Sequence, residues 1–263
     1  MLRRQLDRLA ALGLGADMAA ELEFYLFNQT FEGARLTGYN SLKFSRWYPQ
    51  DGHIFQTSKD EGFVRGIRNL MEQADIPIEG SKAECSPGQQ EINLQYAGAL
   101  ETCDRLALYK NGCKEIAHQM GKSVSFMAKL GQDLSGNSCH VHISLRDLAA
   151  GKSAFTDPTR PDGMSDIFGH FLAGAIAHAP AATCFYAPNV NSYKRFTLGT
   201  FAPTRLAWSV DNRTTAFRVL GKGSSLRFEC RIPGADANPY LAFSALIASG
   251  IAGIESKAEL PHR

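Results

Sequence analysis

Met18-Ala19-Ala20-Glu21-Leu22-Glu23-Phe24-Tyr25-Leu26-Phe27 reads as a β-strand. Residues two apart on a strand share a face. Leu22, Phe24 and Leu26 therefore point to a core, and Glu21 and Glu23 stand side by side on the other face. A solvated strand surface explains two glutamates equally well, because exposed glutamates are common. The decision rests on whether other strands carry matching chemistry.

Three further stretches do. Ile78 to Gln95 looks like two strands broken by Ser86-Pro87-Gly88, a turn that can bring Glu84 and Glu91 to one side. In Ser138-Cys139-His140-Val141-His142-Ile143-Ser144, alternation sends Cys139, Val141 and Ile143 inward and gathers His140, His142 and Ser144 opposite. Paired histidines on one strand face strengthen the case for a ligand or phosphate contact. In Arg227-Phe228-Glu229-Cys230-Arg231-Ile232, Arg227, Glu229 and Arg231 share a face, although an ordinary salt-bridged strand has the same pattern. Asn191 to Phe196 and Asp211 to Arg218 add arginine forks suited to carboxylates and phosphates.

If one sheet face collected these residues, the five glutamates would repel one another unless cations lay among them. Oxygen ligands with an imidazole favour Mg²⁺ or Mn²⁺ over zinc. Two divalent ions beside arginines are the equipment of phosphoryl transfer.

The elements around these strands predict an α+β domain. Leu2, Leu6, Leu9 and Leu12 have helical spacing, with Gly13 or Gly15 to stop the helix. Residues 28–57 show no period and read as a surface excursion. Ser58-Lys59-Asp60-Glu61 reads as a capping box before a helix with Phe63, Ile67, Leu70 and Met71 on its apolar face. Leu100 to Met120 predicts another helix, Ser165 caps a third, and Asn238-Pro239 opens an alanine-rich one. Ser123 to Lys129, Thr214 to Leu220 and Ser225 to Ile232 read as strands.

Composition bounds the partners. The chain has 263 residues, 28 basic and 26 acidic, for a formal charge of +2, and 44% of it is apolar. These are globular values. No basic stripe dominates, so no nucleic-acid partner is expected. No unbroken run of about 18 apolar residues predicts a membrane span. The first residues lack the apolar stretch of a secretory signal. The six cysteines include no Cys-x-x-Cys pair and read as reduced, buried thiols of a cytoplasmic protein.

In order along the chain, these segments resemble the catalytic domain of the glutamine synthetase family. The matching pieces are Glu21 to Phe27, Glu84 to Asn93, Cys139-His140-Val141-His142, Asn191 to Arg195, Asn212-Arg213 with Arg218, Arg227 to Arg231 and Ala237 to Ala242. The resemblance implies an antiparallel curved sheet flanked by helices. It also implies an ATP- and Mg²⁺-dependent ligase (Mn²⁺ being the alternative ion) that joins glutamate to an amine through γ-glutamyl phosphate. Glu23, Glu84 and Glu91 would hold one metal ion, and Glu21, His140 and Glu229 the second. Gly136, Arg195 and Arg231 would position glutamate. Arg213 and Arg218 would stabilise the transferred phosphoryl group, with Tyr96, His142 and Ser144 along the nucleotide. A homo-oligomer is expected for the family. The alternatives are an inactive fragment or pseudoenzyme that keeps metal and nucleotide binding, and an unrelated Mg²⁺-dependent kinase.

Three departures from the family pattern bear on function. Glutamine-forming members carry a glutamate that helps deprotonate ammonium, and the matching position here is Phe201. This is similar to the branch that ligates glutamate to polyamines or other organic amines, which makes ammonia a poor expected substrate. Ser135-Gly136 stands where many members have Asn-Gly. Finally, members carry an N-terminal β-grasp domain before this region and helices after it. Residues 1–263 are thus expected to be the catalytic domain alone, as a fragment or partial gene product.

Overall fold

The computed structural model describes residues 1–49 and 51–262. Its organising element is β1 (Leu14–Phe27), longer at its start than the sequence pattern indicated. Both edges of β1 are paired. On one side lie β3 (Gln89–Leu94) and β4 (Ala97–Gly98), and on the other β5 (Ser123–Ser125) and β6 (Cys139–Asp147). β2 (Ile78–Ala83) extends the sheet beyond β3. Beyond β6 come β9 (Arg227–Cys230), β8 (Phe217–Leu220) and β7 (Trp208–Val210). The described residues thus form a nine-stranded sheet, antiparallel except for the parallel β7–β8 pair at one edge.

Helices cover the apolar face of the sheet. Leu22, Phe24, Leu26, Val141, Ile143, Phe228 and Cys230 point into one core with residues of α4 (Glu61–Gln73), α5 (Ala99–Gln119), α6 (Asp166–Tyr186) and α8 (Pro239–Ser256). Phe228 stands among Phe155, Phe168, Phe171 and Phe217, which pins α6 to the sheet. α1 (Leu2–Ala11) adds Leu2 and Leu9. By length and composition α6 could cross a membrane. Here Phe168, Phe171, Leu172 and Ala175 are buried in the core, the ordinary place of such a helix in a globular domain.

Several local expectations hold. Ser165 accepts a hydrogen bond from Phe168 N at 3.1 Å, and the Asn238 side chain caps α8 through Leu241 N. Others are corrected. The 28–57 segment contains α2 (Phe31–Leu36), capped by Thr30, and most of α3 (Ile54–Lys59). Gln50, within that segment, lies outside the described residues. The capping box does not form. Ser58 sits inside α3 and donates to Ile54 O, while the Asp60 carboxylate accepts from Arg46, Ser45 and Gln90. A buried charge held by three donors outweighs one exposed helix N–H. α7 (Val190–Tyr193) and β7 were not visible as periodic patterns, because each is too short to show a period. All six cysteines are free, but Cys184 is exposed and Cys85 only half-buried, so the buried-thiol reading fits the other four.

α6 and α8 cross with almost no side-chain spacing. A Cβ on Gly253 would lie 2.1 Å from His170 O and 2.7 Å from Gly174 Cα. Backbone on both sides leaves nothing flexible to yield. Gly253→Ala is therefore expected to cost about 1–3 kcal/mol of stability, read from denaturant unfolding. An unchanged midpoint would show that the crossing can open freely.

Candidate active site

Strand register builds the site. Glu23 is directly opposite Glu91 on β3, and Glu21 lies between Asn93 on β3 and His140 on β6. Farther along, His142 faces Glu229 on β9, which in turn faces Arg218 on β8. The polar face therefore carries a band of ionisable side chains across five strands. Two compact triplets stand out, Glu23–Glu84–Glu91 and Glu21–His142–Glu229, each with donor atoms within 4.8 Å of one another.

The triplets differ in electrostatic balance. Burial disfavours ionisation of Glu21, but hydrogen bonds and charge from His140 and His142 outweigh it and hold the carboxyl well below its usual range. Burial acts on Glu229 in the same sense, and His140 and Arg231 reverse it. His140 Nδ1 lies 3.2 Å from Glu21 and 3.1 Å from Glu229, and Arg218 and Arg231 both pair with Glu229. The other triplet has less compensation. Burial and repulsion from Glu21 push Glu91 up to about 8, with Lys82 opposing. Burial raises Glu23 against the pull of His140. Lys82 bridges Glu84 at 2.7 Å and Glu91 at 3.4 Å.

Two clefts meet at this band, and Glu21 lines both. The smaller, about 330 Å³, is walled by Arg195, Arg213, Arg231, Gly136 and the segment Thr200-Phe201-Ala202. Arg195 and Arg231 are 2% and 3% exposed. In both, Nε is buried without a hydrogen-bond partner among the described residues, and the two guanidiniums bring positive charge to the wall of this cleft. Gly136 is fixed by close approach, since a Cβ there would sit 2.6 Å from Arg195 Cγ. The larger cleft, about 900 Å³, is lined by Tyr96, His142, Ser144, Arg146, Ser225 and Arg227 among others.

A family model for the glutamine synthetase catalytic domain matches residues 1–263. The chain belongs to this family. It is 50% identical over 99% of its length to a γ-glutamylethanolamide synthetase of Streptomyces coelicolor, of which it covers 55%. It is 39% identical over 98% of its length to a glutamate–isopropylamine ligase of a Pseudomonas species, covering 56% of that protein. Among solved structures, GmaS in complex with ADP superposes with a TM-score of 0.88 at 30% identity, across 100% of this chain and 60% of that one. The chain thus spans little more than half the length of these relatives.

Most of the residues singled out from the family motifs converge on the two clefts. Glu23, Glu84, Glu91, His140, Gly136, Arg195, Arg213 and Arg231 line the smaller, and Tyr96, His142 and Ser144 the larger. His140 Nδ1 stands within 3.2 Å of both Glu21 and Glu229, and His142, set beside the nucleotide by the motif reading, also reaches Glu21 at 2.9 Å and groups with the same two carboxylates. Arg218 lines neither cleft among the described residues and is held by Asp211 and Glu229. Asp51, Gln89 and Asn137 went unassigned in the sequence reading. Asp51 lies in an aperiodic loop and Asn137 in a polar one, and the neighbours of Gln89 are distant in sequence.

If Glu91 is to hold a cation its carboxyl must be ionised, so its proton release would set a pH dependence. Its carboxyl is raised from 4.5 to about 8, so between those values the metal-free folded chain holds a proton that the unfolded chain has lost. Stability without metal should fall as pH rises through that window. Mn²⁺ affinity should rise from about pH 6 to about pH 8 and then level. Glu91→Gln should bind Mn²⁺ more weakly and with a flatter pH profile, as read by calorimetric titration. An affinity independent of pH in the parent protein would contradict this account.

Proposed function

We propose that this protein is an ATP-dependent ligase joining the γ-carboxylate of glutamate to an organic amine. The observation that carries the reading is the position of Glu21 and its band at the junction of the two clefts. A phosphate donated from the larger cleft would there meet a carboxylate held in the smaller. The relatives named for ethanolamide and isopropylamine products support the amine class.

Oxygen-rich donor sets with buried, under-compensated carboxylates fit Mg²⁺ or Mn²⁺. Glu23, Glu84 and Glu91 would hold one ion. Glu21, His140 and Glu229 would hold the other, with His142 close enough to join them. When bound, such ions neutralise phosphate charge and polarise the transferred group. Gly136, Arg195 and Arg231 would bind glutamate, the two buried guanidiniums supplying donors for its carboxylates. Tyr96, His142 and Ser144 would lie along ATP. Arg213, and Arg218 through a shift from its resting partners, would stabilise charge on the transferring phosphoryl group.

The γ-carboxylate attacks the terminal phosphorus, ADP leaves, and the amine then displaces phosphate from the acyl phosphate. Phe201, 66% exposed at the small cleft, can neither accept a proton nor hold ammonium by charge. It offers an apolar surface to an alkyl chain. Asp51 on the same cleft can steer a cationic amine. In the family the neighbouring subunit's N-terminal domain completes the site, so activity is expected from the homo-oligomer.

The test is ADP release by the full-length protein with Mg²⁺ and glutamate, across ammonia, ethanolamine, isopropylamine, putrescine and spermidine. Release should need glutamate and be stimulated by an organic amine far more than by ammonia. Phe201→Glu should shift the preference toward ammonia. Efficient glutamine formation by the parent protein would overturn the amine assignment, and release independent of glutamate would overturn the reaction class.

A further inference from the structure

Gln89 is 1% exposed and lies on β3, two residues before Glu91. Its Nε2 donates to Gly136 O and to Asn137 Oδ1, both at 3.0 Å, and lies 3.4 Å from Glu23 Oε2. Its Oε1 accepts from Ser86 N at 3.4 Å, which turns the amide so that Nε2 faces the loop. One side chain thus touches a carboxylate of the acidic triplet, the backbone of the glycine packed against Arg195, and the asparagine that follows it.

Asn137 is fully buried and carries the connection outward. Its side chain donates to Ser125 O and Met127 O, its N–H to Ala128 O, and its carbonyl accepts from Ala235 N. Residues 135–137 are further tied by Ser135 N to Ser86 Oγ at 2.8 Å and by Tyr25 OH to Ser135 O at 2.7 Å. Among the described residues, the hydrogen bonds to Ser135 and the Gly136 carbonyl come from β1 or from the hairpin that carries Glu84 and Glu91. Ser138 N and Gln89 Nε2 both reach the same oxygen of Glu23, Oε2.

We infer that Gln89 is a positioning residue that couples cation binding at Glu23–Glu84–Glu91 to carboxylate binding beside Gly136 and Arg195. The inference rests on the proposed assignment of those two sites. A cation that draws Glu23 toward Glu84 and Glu91 moves the acceptor of Gln89, and the amide transmits the shift to the Gly136 carbonyl. Each ligand then favours the same loop arrangement. Linkage requires the effect to be reciprocal.

The test is calorimetric Mn²⁺ titration of the full-length protein with and without saturating glutamate, for the parent and for Gln89→Met and Gln89→Asn. Methionine keeps length and volume without the amide, and asparagine keeps the amide one methylene short of its partners. In the parent, glutamate should tighten Mn²⁺ binding by about tenfold, within the usual range of such couplings. In either variant the ratio should fall toward one, while each ligand alone still binds. Ser86→Ala, which leaves the Gln89–Glu23 contact in place, should retain most of the coupling. A purely structural role would weaken both ligands and leave the ratio standing. An unchanged ratio in whichever Gln89 variant folds, or no coupling in the parent that binds both ligands, would overturn the inference alone. Failure of the parent to bind Mn²⁺ at all would overturn it together with the functional reading beneath it.

Discussion

The cross-strand pair Glu23–Glu91 sets the terms for the whole molecule. Two carboxylates stand opposite each other in an antiparallel ladder, both buried. Like charges in that position work against the sheet. The arrangement persists because the opposite face of the same strands is a continuous apolar core. Leu22 and Phe24 flank Glu23 in sequence and are buried beneath helices. The fold holds its acids in place from behind, with hydrophobic burial supplying what the polar face cannot.

The two halves of the acidic band solve the charge problem differently. Glu21 is paired with His140 and His142, and Glu229 with His140, Arg218 and Arg231, so both have partners within the protein. Glu23, Glu84 and Glu91 have Lys82 at the rim and little else. One half has ionic and hydrogen-bonding partners within the protein as well as a donor set for an ion, whereas the other has few such partners. Arg195 and Arg231 line the same cleft and bring positive charge to it. Acidic and basic groups thus share one cleft.

The central strands were legible because their period of two survives in the sequence. Glu21/Glu23, His140/His142 and Arg227/Glu229/Arg231 each fall on one face opposite core residues, as alternation requires. Which strand lies next to which was not legible from pattern alone. The ordered family motifs implied one antiparallel sheet, and the strand order itself came only from the structure. Two of the failures share one cause. Asp60 looked like part of a cap because its immediate neighbours fit one, yet its carboxylate is bound by Arg46, Ser45 and Gln90, 14, 15 and 30 residues away. Gln89 escaped notice for the same reason, since Gly136 and Asn137 lie 47 and 48 residues on. A polar side chain whose partners are remote leaves no local signature.

The pairing of β1 along both edges has an evolutionary consequence. Adding or deleting a single residue between Leu14 and Glu23 would exchange the acids for Leu22 and Phe24 on every neighbouring strand at once. Descendants of this sequence can therefore swap individual side chains in the strand but cannot change its length. Length variation is free only where no ladder runs, as in the segment bearing Asp51 and the one bearing Phe201. Both segments line the small cleft. Insertions in these loops can thus reshape the cleft while the band behind them is inherited without revision.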